Sequence, residues 1–464
     1  MSQQGPAPRP LPEKGPLVAF CGDDFTGASA AMETLAFAGL ETVLFLAPPS
    51  PGRLAAFPQA RGIGIATIAR SRTPQWMEAE LPAIFALLRG TGAPVVHHKI
   101  CSTFDSAPEV GSIGAALDVA ARMFPGWFPM VVADPAMGRF QCFGHLFAAT
   151  SDGTGYRLDR HPVMARHPVT PMAESDLGRH LARQTALRLG LIDFTAMKRG
   201  AAELQLAAAL AGASRIVSLD VLDGETLAEA GRLIWERTTP APCFAVGSQG
   251  VEAALVAYWR RAGLLAPAPA APAPGRATRM ACVCGSVSPV TAKQIEVAIR
   301  QGFAGIRIRA ERAVDIGAWD AELDRAAREA LSALSEGRDP LVFTAAGPDD
   351  PAVPALREAI GASGMAAEAV HERIGAGLGA VLDRLLREAR LPRAVIAGGD
   401  TSGHAARRLG IDALTAIAPL APGAPLCRAH APNDPARDGL QLVLKGGQVG
   451  REDFFETARA GGVA

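Results

Sequence analysis

The chain has 464 residues, 49% apolar and 20% charged, a globular balance in a length that suits two cores better than one. Lys plus Arg and Asp plus Glu both number 46, so no net field favours nucleic acid or an anionic membrane surface. Seven cysteines with no Cys-x-x-Cys pair argue against a disulfide framework or a zinc ribbon and point to reduced thiols in a cytoplasmic protein.

In chain order, residues 1–15 are polar and proline-rich, lack the apolar core of a signal peptide, and are expected to be a disordered lead-in. No apolar run is long enough to span a bilayer. Residues 16–265 then repeat one pattern, a short apolar run followed by an Ala/Leu-rich amphipathic stretch. The runs are "LVAF", "TVLFL", "GIGIATI", "PVVHHKI" and "PMVVADP". Strands alternating with helices predict a parallel sheet covered on both faces, with ligands beyond the carboxyl ends of the strands.

The first such end reads "CGDDFTGASA". Asp23 and Asp24 close a buried strand, and Thr26 is positioned to cap the helix that follows. Acids there cost desolvation unless something pairs with them. They can accept a proton or hold a hydroxyl; a capped turn with solvated acids is the plain alternative. Asp24 is the expected base, because Asp23 points the other way along an extended strand end.

"ARSRTP" places Arg72 after another strand, and "HHKICSTFDSAPEVGSIG" places Lys99 at a strand end, followed by Cys101, Ser102, Thr103, Asp105 and Ser106. A lysine with hydroxyls suits a carboxylate or phosphate. Adjacent His97 and His98 face opposite ways on a strand and make a poor joint metal site. Gly138-Arg139, His145 and His167 sit in rigid polar loops, where a histidine is more often a structural hydrogen-bonding residue than a catalyst.

"APAPAAPAPG" can neither continue a helix nor pair as a strand, so residues 266–276 are expected to be a stiff linker. Residues 277–464 repeat the alternating pattern with "ACVCG", "GIRI", "PLVFTAAG", "RAVIAGG" and "LQLVLKGG". Three glycine-rich turns follow strands here: Ser286 and Ser288 in "CGSVSPVT", Gly398, Gly399, Asp400 and Thr401 in "AGGDTSG", and Gly446 and Gly447 in "KGGQVGREDFF". Such turns bring backbone N–H groups close to phosphates. Neither a Walker A loop nor a GxGxxG turn after a strand occurs.

"CGDDFTGA", "KICSTFDS", "RHPVTPM", "GSVSPVT", "AGGDTSG" and "KGGQVGREDFF" occur in the order found in the four-carbon acid sugar kinases, which this sequence resembles from Leu17 to Phe455. The resemblance implies two α/β domains, each a mostly parallel sheet covered by helices, with the active site in the cleft between them. It implies a sugar-acid-binding domain over 16–265 and a nucleotide-binding domain over 277–464. Substrate contacts are implied for Asp23, Asp24, Arg72 and the segment from Lys99, and ATP contacts for the Ser286/Ser288 loop, Gly398 to Thr401, and Gly447.

The expected function is ATP-dependent, Mg2+-assisted phosphorylation of the terminal (C4) hydroxyl of 3-oxo-tetronate, threonate or erythronate. The metal would be held mainly by the ATP phosphates. "KGGQVG" and "DPAMGRFQCFGHLF" depart from the usual forms of the 3-oxo-tetronate branch, so the acid stays open. The expected partner is a small sugar acid, with neither nucleic acid nor membrane, and a homo-oligomer is compatible with it. The alternatives are an NAD-linked sugar-acid dehydrogenase, which the missing GxGxxG disfavours, and a non-catalytic sugar-acid-binding protein.

Overall fold

The computed structural model describes residues 7–150, 153–166, 170–238, 241–268 and 273–462, without the side chains of 400 and 401. These residues form two compact units, Met1–Val43 with Pro48–Pro269, and Leu44–Ala47 with Ala270–Ala464.

In the first unit the strands are β1 (Val18–Gly22), β2 (Thr42–Phe45, whose first two residues fall in this unit), β3 (Gly62–Ala66), β4 (Val95–Lys99), β5 (Phe128–Val131), β6 (Arg139–Cys142), β7 (His145–Ala149), β8 (Gly155–Arg157), β9 (Leu189–Ile192), β10 (Ile216–Leu219) and β11 (Cys243–Gly247). The main sheet runs β2-β3-β1-β4-β11-β5-β10-β9, while β6-β7-β8 form a small antiparallel sheet. The pairs from β3 through β9 in that order are parallel. β1, β4 and β11 are buried at every position, as a sheet covered on both faces requires.

The covering helices pack through large side chains. Trp235 and Trp259 meet edge to face at 5.1 Å, and Phe244 contacts Phe85, Phe124 and Phe128. Each such ring, removed from water, contributes about 1.5–3 kcal/mol before ordering costs.

In the second unit the strands are β12 (Met280–Cys284), β13 (Ala304–Arg307), β14 (Pro340–Phe343), β15 (Arg393–Ala397), β16 (Ala413–Ala421), β17 (Ala424–His430) and β18 (Gln441–Lys445). Their order is β13-β14-β12-β15-β18-β17-β16. The first five run parallel, and β17 is antiparallel to both β18 and β16. The apolar core gathers Ile295, Phe303, Phe343, Val395, Val443, Phe454 and Phe455. The structure is therefore α/β, with mostly parallel sheets covered by helices.

The lead-in departs from its expected disorder over Arg9–Gly15. The Arg9 backbone N–H donates to Glu236 at 3.1 Å, Trp235 Nε1 donates to the Arg9 carbonyl at 3.0 Å, and Arg61 Nη1 donates to the Gly15 carbonyl at 2.6 Å. A cation over an indole and buried backbone bonds offset the ordering cost. Residues 1–6 lie outside the described residues, as do 269–272 of the linker. The linker's far end is fastened to the second unit, where Arg393 Nη2 donates to the Gly275 carbonyl at 2.9 Å. All seven cysteines are free. Among the described residues no helix is long and apolar enough to cross a membrane.

Candidate active site

Strand register levels the carboxyl ends of the first sheet. Gly22 lies opposite both Ala66 and Lys99, and Lys99 opposite Gly247. In the sheet β1 sits between β3 and β4, where the chain order reverses, the usual place for a crevice in an open α/β sheet. A Cβ at Gly22 would stand 2.5 Å from that of Ala28, so only glycine lets the strand end meet the first turn of the next helix.

That helix, Phe25–Ala36, is capped by Asp24, whose Oδ1 accepts from Gly27 N at 2.7 Å. Thr26, expected as the cap, lies inside the first turn and donates to Asp24 Oδ2 at 2.7 Å. The correction has a simple cause. Asp24 already has extended backbone angles, φ −142° and ψ 166°, as an N-cap needs.

The partner of the acids is Arg70. Its Nη2 and Nε donate to the two oxygens of Asp23 at 2.6 and 3.1 Å, and its Nη1 donates to Asp24 Oδ2 at 2.7 Å. The two carboxylates therefore converge on one guanidinium instead of pointing apart. Both acids are 5% exposed. Burial lifts the Asp23 carboxyl above its ordinary value, with Arg70 opposing. Burial also works to raise Asp24, but Arg70, Lys99 and the bonds from Thr26 and Gly27 outweigh it and hold that carboxyl low.

Lys99 is buried, and its Nζ donates to the Ile100 carbonyl at 2.7 Å. A Cβ at Gly27 would stand 2.3 Å from Asp24 Oδ1 and 2.6 Å from Lys99 Nζ, so the ammonium and the cap carboxylate crowd one point.

The following loop turns on Phe104, a buried residue at φ 58°, a conformation that costs a bulky side chain about 1–3 kcal/mol. On either side of it, Thr103 Oγ1 and Cys101 Sγ donate to Asp105 at 2.9 and 3.1 Å. Burial pushes the Cys101 thiol up to about 11, so it stays protonated at neutral pH. Burial disfavours the Arg139 guanidinium, while the carboxylates of Asp105 and Asp134 oppose that effect. Its Nη1 donates to the carbonyls of Met137, Gly138 and Ala149 at 3.1–3.3 Å.

Arg72 was expected to meet the substrate's carboxylate; the arginine that pairs with the acids is Arg70, while Arg72 accepts from Gly111 N through its carbonyl at 2.9 Å. The signal for Arg70 was present two residues earlier in "ARSRTP". Strand periodicity alone could not say which arginine faces the sheet's end. Ser102 is half-exposed. His145 Nδ1 pairs with Ser175 Oγ at 2.9 Å. His97 meets Glu252 at 2.6 Å, and His98 packs on Phe85, so the two histidines engage different neighbours. His167 lies outside the described residues.

In the second unit Cys284 lies opposite both Phe343 and Ala397, and Ala397 opposite Lys445, so the three glycine-rich turns leave one edge of that sheet. Ser288 caps the helix Pro289–Arg300, accepting from Val290 N at 3.2 Å. Ser286 Oγ accepts from Ser288 N at 3.2 Å. A Cβ at Gly447 would stand 2.6 Å from Ser286 Oγ, which brings the first and third turns together.

Gly398, at φ 127°, precedes the helix Gly399–Arg408 and donates its N–H to the Lys445 carbonyl at 2.8 Å. A Cβ at Gly399 would meet nothing within 4 Å, so the space beside this helix start is open. Asp400 and Thr401 belong to that helix; their side chains lie outside the described residues. Lys445, absent from the sequence reading, ends β18 as Lys99 ends β4, and that shared pattern was the available signal.

Two family models match, one described as a sugar-binding N-terminal domain over residues 18–255 and one as a nucleotide-binding C-terminal domain over residues 281–455. The chain belongs to the four-carbon acid sugar kinase family. A "3-oxo-isoapionate kinase" of Paraburkholderia graminis is 49% identical over 97% of this chain and 95% of that protein. A "3-oxo-tetronate kinase" of Cupriavidus necator is 32% identical over 96% of each chain. One of Methylobacterium radiotolerans is 34% identical over 94% of this chain and 97% of its own.

A solved structure from Salmonella typhimurium LT2 superposes with a TM-score of 0.71 at 25% identity, covering 95% of this chain and 98% of that one. One from Haemophilus influenzae does so at 0.66 and 24% identity, covering 95% and 99%, and shares the fold. Among the described residues no group of three or more His, Cys, Asp or Glu could hold a metal ion. Within this acid sugar kinase, then, acids gripped by an arginine end one sheet and glycine-rich turns end the other.

Proposed function

We propose that this protein transfers the γ-phosphoryl group of ATP to the terminal hydroxyl of a 3-oxo sugar acid, with 3-oxo-isoapionate the first acid to try. Family membership makes it a phosphotransferase with an alcohol acceptor. The observation that carries the choice of acid is the 49% identity to a 3-oxo-isoapionate kinase along nearly the whole chain. 3-Oxo-tetronate, threonate and erythronate are the acids to set against it.

In this reading the first unit holds the acid. Asp23 accepts the hydroxyl proton as the oxygen bonds to phosphorus and the bond to ADP breaks. Asp23 suits the role better than Asp24, because among the described residues the Asp24 side chain accepts from Gly27, Thr26 and Arg70, and that of Asp23 from Arg70 alone. Arg72, Lys99, Ser102, Arg139 and His167 are the groups proposed to meet the acid's carboxylate and hydroxyls. Cys101 and Thr103 shape that wall by holding Asp105.

The second unit holds the nucleotide on Ser286, Ser288, Gly398, Gly399, Asp400, Thr401, Gly446 and Gly447. The open space at Gly399 and the helix start beside it fit a phosphate chain. Mg2+ would be held mainly by the ATP phosphates and, when bound, would neutralise their charge.

The test is ADP release by the purified protein with ATP, Mg2+ and each acid in turn. Turnover of 3-oxo-isoapionate well above the three others supports the reading. Preference for a tetronate overturns the choice of acid, and no acid-dependent ADP release overturns the kinase reading.

A further inference from the structure

Lys445 ends β18 fully buried, and among the described residues its ammonium donates to neutral oxygens, Thr291 Oγ1 at 3.1 Å and the Gly446 carbonyl at 3.0 Å. Thr291 Oγ1 in turn donates a hydrogen bond to the Gly447 carbonyl at 2.8 Å. Gln294, one turn on, donates to the carbonyls of Val449, Gly450 and Arg451 at 2.9–3.0 Å. The Lys445 carbonyl meanwhile accepts from Gly398 N. One residue thus ties the second and third glycine-rich turns to the helix that begins after the first.

A buried ammonium usually has a carboxylate beside it; among the described residues Lys445 forms no ion pair. The groups that face it are Cys284 from β12, Thr291 from the helix Pro289–Arg300 and, 5.6 Å away, the Phe454 ring. Cys284 is itself held above its ordinary value by burial.

Resting on the nucleotide reading above, we propose that Lys445 is a positioning residue for the nucleotide. Its ammonium, set behind the Gly446–Gly447 turn, aligns that turn and is the positive charge that bound phosphates stabilise. Being fully buried, it acts through Gly446 and Thr291 and not by touching the ligand.

Burial pushes Lys445 down to about 8. Near that pH part of the unliganded protein carries a neutral amine there. Phosphates brought close favour the ammonium, so nucleotide binding takes up a proton.

The experiment is calorimetric titration of the full chain with ADP and Mg2+ at pH 6.5 and 8, in buffers of different ionisation enthalpy. Wild type should take up protons at pH 8 and almost none at pH 6.5. Lys445→Met should lose the pH 8 uptake and raise the KM for ATP about tenfold. Lys445→Arg keeps the charge at both pH values, and should bind ADP without uptake. Normal ADP binding by wild type with no uptake at pH 8, or uptake that persists in Lys445→Met, overturns the inference and leaves the nucleotide reading standing. No ADP binding by wild type at either pH overturns both.

Discussion

Arg70 grips the Asp23 carboxylate with two N–H bonds, from Nη2 at 2.6 Å and Nε at 3.1 Å. Its remaining amino group reaches Asp24 at 2.7 Å. Two adjacent acids at the end of a buried strand share one planar cation that bonds to both, a geometry that lysine cannot copy.

Replacing Arg70 by methionine should therefore lower kcat/KM for the acid by about tenfold to a hundredfold, the span of a lost charged hydrogen bond. The sign of the pH effect follows from the charge. With the guanidinium gone, burial and mutual repulsion lift both carboxyl pKa values, so the acid limb of the pH–rate profile moves to higher pH. Arg70→Lys should recover part of the rate. A profile unchanged in Arg70→Met would remove Arg70 from the site.

Asp23→Asn and Asp24→Asn should fail differently. Loss of the base in Asp23→Asn should cut kcat by about 10²–10⁴-fold in a folded protein that still binds ATP. Asn remains a good N-cap, so Asp24→Asn should unfold within a few degrees of wild type and keep more of its kcat. The reverse ranking of kcat would return the base to Asp24.

Arg72→Ala should raise the KM for the acid about tenfold or more, with little change for ATP, if Arg72 holds the carboxylate. A normal KM would restrict the carboxylate to Lys99, Ser102 and Arg139. Steady-state kinetics with each substrate varied in turn decides between them.

Gly399→Val adds a side chain where, among the described residues, a Cβ would meet nothing within 4 Å beyond its own helix. The fold should tolerate it, while ADP affinity falls and acid binding stays nearly unchanged. A thermal shift without ligand, beside an ADP titration, checks both halves.

Glu322 is buried under Arg309 and Arg325, which donate to it at 2.6–3.2 Å. Burial works to raise its carboxyl, but these bonds hold it down at about 2. A carboxyl depressed in the folded state stabilises above its unfolded value, and that stability drains as pH falls toward the folded one. Between about pH 4.5 and 2 wild type should therefore lose more Tm than Glu322→Gln, which carries no such proton linkage. Equal slopes in the two proteins would contradict it.

Much of the candidate site's outline was open to sequence reasoning because it lies at strand ends. Asp23, Lys99, Ser288, Gly398 and Gly447 each follow or finish an apolar run, and in parallel sheets that position alone marks a ligand edge. The same reasoning could not separate Arg70 from Arg72, since both lie within a short 3-10 turn and its exit, where no periodicity sets direction. It also assigned the cap to Thr26, because a hydroxyl and a carboxylate two residues apart are equally good cap residues. Only the backbone angles of Asp24 decide between them.

By itself, then, the sequence determined the α/β class, the glycine-rich turns and the family, since local patterning and ordered short motifs carry these without any knowledge of contacts. Tertiary structure decided which charges meet. Arg70 is separated from Asp23 by 47 positions and Lys445 from Thr291 by 154. Pairing at such separations depends on strand order and register, which place Gly22 beside Lys99 and Ala397 beside Lys445. No local propensity encodes that placement; it is set when the apolar faces of whole strands and helices are buried together.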